Sequence, residues 1–96
     1  MRNLPQPAAV RFQVSAQIHK PKGVEITSEF LAIAFLAWLD GKEVKGITFR
    51  VIIWTGRKQR ELTEIGTDHR GEVLKETLRR ALQAGRLHIA PVGENQ

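Results

Sequence analysis

The chain of 96 residues contains no cysteine. This absence excludes a disulfide framework, a thiolate metal site and a cysteine nucleophile, and it fits a reducing compartment. Long hydrophobic runs are also missing, because the longest covers only residues 30–39 and a bilayer span needs about 20 apolar residues. The N-terminus lacks the apolar stretch of a signal peptide. We therefore expect a soluble, cytoplasmic protein with no membrane partner.

Patterns that carry enzyme chemistry are absent too. The three histidines, His19, His69 and His88, fall in different predicted elements and have no paired spacing, so no metal site is expected. The carboxylates are scattered and mostly alternate with cations, and no glycine pattern matches a phosphate loop or a dinucleotide fingerprint. We expect a non-enzymatic protein without a cofactor or metal.

Positive charge is the clearest feature of the composition. Fifteen Lys and Arg against ten Asp and Glu give a net charge of +5 and a pI near 10.3. A basic surface favours an anionic partner such as nucleic acid, an acidic protein or a membrane face. Charge of this size also serves solubility alone, and composition leaves both interpretations open.

The length suits one domain, which we place at residues 9–92, between a loose N-terminal arm (residues 1–8) and a flexible tail (residues 93–96). Strict alternation of apolar and polar residues predicts a half-buried first strand over residues 9–19. Residues 47–54, rich in β-branched and aromatic side chains, predict a second strand. The more polar residues 59–65 predict an edge strand or a projecting hairpin arm, and residues 86–90 a short last strand stopped by Pro91.

Two helices are predicted between these strands. Residues 30–39 are apolar on every side, with Thr27 or Ser28 as the N-cap and Asp40-Gly41 at the end. Such a helix must be covered on every side, so Phe30, Phe35 and Trp38 are candidate interface residues in a homodimer or partner complex. A second helix over about residues 70–84 carries an apolar stripe at three-and-four spacing.

The resulting order, β-α-β-β-α-β, predicts an α+β domain of the ferredoxin-like (split βαβ) kind, a four-stranded antiparallel sheet with two helices on one face. One feature fits poorly, because that arrangement places the first and third strands centrally and the third strand here is the least apolar. Either the third strand is not central or the hairpin is differently paired, and an α+β arrangement with a swapped or dimeric sheet is a further alternative.

The predicted outer face of the sheet combines Arg11, Arg50 and Trp54. Arginine beside an exposed aromatic ring can neutralise phosphates and stack bases. RNA-recognition domains use such a face but place aromatics centrally on their first and third strands, a pattern that this chain lacks. For Trp54 we favour the alternative of packing at the sheet end or in a dimer contact, because large aromatics are usually well buried.

The hairpin tip carries three cations within four residues, Arg57, Lys58 and Arg60. Such a cluster can hold phosphates with a salt-dependent affinity, although lysine and arginine also protect edge strands from aggregation. We therefore expect a small basic accessory or regulatory protein that binds nucleic acid through the sheet face and the tip. The alternative is a protein–protein interaction or assembly module, a homodimer or a subunit of a larger complex.

Overall fold

A computed structural model describes residues 10–19 and 25–93 of the chain. Four strands and two helices follow one another in the predicted order: β1 (Val10–Ile18), α1 (Ser28–Leu39), β2 (Ile47–Thr55), β3 (Lys58–Leu62), α2 (His69–Gln83) and β4 (Ile89–Gly93). The α+β class and the β-α-β-β-α-β order are confirmed, and they are consistent with a ferredoxin-like split βαβ fold.

The strands form one mixed sheet in the order β3-β2-β1-β4. β1 pairs antiparallel with β2, β2 pairs antiparallel with β3, and β1 pairs parallel with β4. The expectation of a wholly antiparallel sheet is therefore wrong, because β4 runs parallel to β1. The third strand is not central, which was one of the alternatives that its polar composition left open. The central strands are β1 and β2, which carry the apolar alternation, and the polar β3 lies at an edge as its composition indicated.

The buried residues form one cluster on one face of the sheet. Val14, Ala16 and Ile18 of β1 lie opposite Val51, Phe49 and Ile47 of β2, and all six side chains are buried. Leu31, Phe35 and Leu39 from α1 and Leu78 from α2 join the same cluster. Both helices therefore cover this face, and the opposite face of the sheet carries no helix among the described residues.

Local capping fixes where the helices begin and end. The Thr27 hydroxyl oxygen accepts a hydrogen bond from the Phe30 amide, at 3.0 Å, so α1 begins two residues earlier than the apolar run. α1 ends at Leu39, and Gly41 then adopts φ of 84°. The Asp68 carboxylate likewise accepts from the Gly71 amide, at 2.8 Å, at the start of α2.

The last strand begins and ends later than its sequence indicates. β4 covers Ile89–Gly93 and continues through Pro91, where we expected it to stop. β4 lies at the edge of the sheet and pairs with β1 on one side. On its outer side no neighbouring strand requires an amide donor, so β4 can include a proline.

The predicted arm (residues 1–8) lies outside the described residues, as do residues 94–96 of the predicted tail, whereas Gly93 belongs to β4. Among the described helices, none has the length and hydrophobicity to cross a membrane.

Candidate nucleic-acid interface

The register of the central strands brings the predicted outer-face residues together. Arg11 lies opposite Trp54, and Ser15 lies opposite Arg50. Because side chains alternate between the faces of a strand, all four belong to the face that the helices leave uncovered. The predicted grouping of Arg11, Arg50 and Trp54 on one surface is therefore present in the fold.

Arg11 and Trp54 contact each other directly. The Arg11 guanidinium carbon lies 5.1 Å from the centroid of the Trp54 ring, within cation–π distance. Trp54 is half-buried but is not among the side chains packed against the core cluster. At an exposed site such a cation–π contact contributes about 0.5–1 kcal/mol, whereas a base stacked on an aromatic ring contributes about 1–3 kcal/mol. A base can therefore compete with Arg11 for the ring.

Arg50 is already engaged by a carboxylate. Its Nε lies 2.6 Å from the Glu61 carboxylate, and both side chains are about half exposed. Glu61 is the register partner of Ile52, so the ion pair runs diagonally across β2 and β3. Of the predicted cations on the open face, Arg11 is thus the better placed to meet an anionic ligand.

The hairpin tip divides its cations between the two faces of the sheet. Lys58 lies opposite Thr55 and Arg60 opposite Ile53, so both share the face that carries the helices. Arg57 lies in the two-residue turn, which Gly56 enters with φ of 63°. All three cations are exposed. They therefore flank the end of the sheet and do not extend the open face.

A groove of about 800 Å³ lies beside the first half of β1. β4 begins opposite Val14, so no described strand pairs with Val10–Gln13 on that side. The walls of the groove come from both faces of β1, from Trp54, from α2 and from the segment that precedes β4. No carboxylate is among these described lining residues, which are Val10, Arg11, Phe12, Gln13, Trp54, Thr77, Ala81, Arg86 and Leu87.

Arg86 is the site residue that sequence reasoning missed. It follows the end of α2 and lines the groove together with Arg11. Gly85, with φ of 76°, turns the chain out of α2, and the buried Leu87 anchors the segment that follows. The local signal that could have identified Arg86 is its position between the glycine that follows the helix and an apolar residue.

Five cations therefore gather at one end of the sheet, which we call the basic end: Arg11, Arg57, Lys58, Arg60 and Arg86. Within the described residues, none of the five forms an ion pair with a carboxylate. Three of the four Lys and Arg residues of α2 differ in this respect. Lys75 pairs with Glu72, Arg80 with Glu76, and Arg79 with both Glu76 and Asp40.

The exposed side of α1 differs from the predicted interface. Phe30 and Ile33 are 41% and 69% exposed. Phe35 is fully buried and packs against Trp38 and Phe49, with ring centroids 5.5 and 5.3 Å away. The prediction of Phe35 as an interface residue is therefore wrong, because its side chain is fully buried against Phe49 of β2. Trp38 is half-buried against the same core, which leaves Phe30 as the exposed member of the predicted set.

In the part of the chain that the structure describes, no three His, Asp or Glu side chains are grouped as metal ligands. Hydrogen bonds from Arg80 and Arg79 lower the pKa of the Glu76 carboxyl. That group lies on the exposed side of α2, outside the lining of the groove.

Comparisons with protein-family models, with curated proteins and with solved structures yield no significant match. The geometry of the described residues is thus the whole basis for a functional proposal.

Proposed function

We propose that this chain is a non-enzymatic accessory or regulatory protein that binds nucleic acid through the basic end. The observation that carries the proposal is the convergence of five cations from separate segments without a carboxylate partner among the described residues. Most ordinary surface cations are interspersed with acidic groups, as on α2, where they neutralise one another.

The chemistry of the basic end suits a phosphate backbone. Arg57, Lys58 and Arg60 project from a hairpin tip, whereas Arg11 and Arg86 line a groove. Guanidinium groups form paired hydrogen bonds with phosphate oxygens, and each phosphate neutralised releases bound counterions. Affinity should therefore fall steeply as salt rises.

The test replaces Arg57, Lys58 and Arg60 with alanine and measures binding of a labelled oligonucleotide by fluorescence anisotropy at several salt concentrations. Losing three phosphate contacts should reduce the slope of log K against log salt by about 2 for a single strand. The matched control replaces three exposed cations elsewhere, Lys42, Lys45 and Arg70, which lowers the net charge equally. An equal loss of slope in both variants would mean that only overall charge matters, and it would contradict the assigned site.

A second function is favoured by the exposed apolar side of α1. Ile33, in the middle of the helix, is 69% exposed, and Phe30 lies one turn away on the same side. A patch of this kind suits self-association or assembly with a protein partner. Sedimentation of the chain and of the Ile33→Lys variant tests this function. The chain should associate in a concentration-dependent manner, and the variant should not. A chain that stays monomeric at high concentration would argue against the homodimer.

A further inference from the structure

We propose that the nucleic acid taken by the basic end is single-stranded, and that one unpaired base stacks on Trp54 in the groove beside β1. This inference rests on the proposed function and names its substrate class. It comes from a different feature, the groove of about 800 Å³ that Arg11, Trp54 and Arg86 line together.

The Trp54 ring supplies the stacking surface. It lies on the uncovered face of the sheet, and Arg11 is the side chain positioned over it, 5.1 Å from its centroid. Arg11 forms no ion pair with a described carboxylate, so it can swing from the ring to a phosphate without breaking a salt bridge. Stacking of a base on an aromatic ring is the stronger of the two interactions, so the exchange favours the base.

The remaining walls of the groove suit a nucleotide. Arg86 adds a second cation to the lining, and the Gln13 amide and the Thr77 hydroxyl add hydrogen-bonding groups. The Thr77 hydroxyl donates to the Val73 carbonyl, at 2.9 Å, so it offers its acceptor side to a ligand. With no carboxylate in the lining, nothing in the groove repels a phosphate.

The concave position of Trp54 selects against a duplex. Proteins that read double-stranded DNA insert a projecting helix or ribbon into a groove, and the bases remain stacked. Trp54 is half-buried in the wall of the groove, so a base must leave its neighbours to reach the ring. Stacking on such a ring is tolerant of sequence because every base has a flat face.

The test compares three probes of about 10 nucleotides, a length within the range of small single-strand sites: a base-bearing single strand, an abasic strand and a duplex. The abasic strand keeps the phosphates and removes the bases. The wild-type chain should bind the base-bearing strand about tenfold more tightly than the abasic strand, the effect of one stacked base. Trp54→Leu should abolish that difference and leave the salt slope unchanged. The Trp38→Phe variant, altered in the core instead, should keep the difference and leave Trp54 as the sole fluorophore, quenched on binding.

Each outcome bears on a distinct claim. The stacking proposal would be overturned by equal affinity for the base-bearing and abasic strands, by tighter binding of the duplex, or by a Trp54→Leu variant that still prefers the base-bearing strand. Salt-dependent binding of any probe would still support the proposed function. If none of the three probes binds even at low salt, the proposed function itself fails. Circular dichroism of each variant establishes that it is folded.

Discussion

Arg11 and Trp54 are cross-strand partners at the end of the sheet, and the Arg11 guanidinium lies 5.1 Å from the centre of the Trp54 ring. The pair joins the two parts of the proposed site, because both residues line the groove beside β1. The start of β1, Val10, lies opposite Thr55, the last residue of β2 before the hairpin turn. A cation and an aromatic ring thus meet where the other unpaired cations converge.

Arg86→Ala should weaken binding of a single strand and reduce its salt slope by about 0.7, the share of one phosphate contact. The physical reason is the position of Arg86 on the groove wall. Anisotropy titrations at several salt concentrations measure the change. Arg70→Ala, which removes an exposed cation from the first turn of α2, is the control. If the two variants have the same slope, Arg86 does not contact phosphate.

Phe35→Ala should lower the free energy of unfolding by about 3–5 kcal/mol, the usual loss for a large buried aromatic. Phe35 is fully buried between Trp38 and Phe49. Phe30→Ala in the same helix should change stability by only about 0.5 kcal/mol, because Phe30 is 41% exposed. Urea unfolding followed by circular dichroism measures both, and similar losses in the two variants would contradict the described packing of α1.

Gly71→Ala should destabilise the protein, although alanine in a helix is usually about 1 kcal/mol more favourable than glycine. An added methyl group at Gly71 would run into the Gly66 carbonyl, with the carbonyl carbon only 2.6 Å away. Relieving that overlap requires a backbone shift that costs about 1–3 kcal/mol. Thermal unfolding measures the effect, with the exposed Gln83→Ala as control. A raised midpoint for Gly71→Ala would show that the loop before α2 lies elsewhere.

Stability should depend on the charge of Glu76 at acid pH. The pKa of its carboxyl is lowered from the ordinary 4.5 by Arg80 and Arg79, so the unfolded chain binds this proton more readily than the folded one. The contribution of the ionised Glu76 to the free energy of unfolding is therefore fully present above the pKa of the unfolded chain. It is lost as pH falls through the lowered pKa of the folded chain. Since the group is exposed, the effect is small. Thermal midpoints of the wild type and Glu76→Gln should converge as pH is lowered from about 6 to about 3; parallel curves would contradict the assignment.

The sequence predicted those features that depend on short-range pattern. Alternation identified β1, the β-branched and aromatic content identified β2, and the shared face of Arg11, Arg50 and Trp54 followed from the two-residue period of a strand. The N-cap of α1, Thr27, was one of the two residues predicted for that position.

The features that the sequence did not predict depend on pairing between strands that are distant in the chain. Whether β4 runs parallel to β1 is decided by where α2 returns the chain, and no local signal reports it. The faces of Lys58 and Arg60 depend on the length of the hairpin turn, since a shift of one residue moves every side chain to the opposite face. The groove and the role of Arg86 arise from where β4 begins, which the sequence placed three residues too early.

The most direct measurement is the salt dependence of binding of the wild-type chain to a labelled single strand. If all five cations of the basic end contact phosphates, log K should fall with log salt with a slope of about −3.5. A measurable affinity at low salt with a slope near that value supports nucleic-acid binding through this surface. Absence of binding at low salt, or binding that does not change with salt, would contradict it.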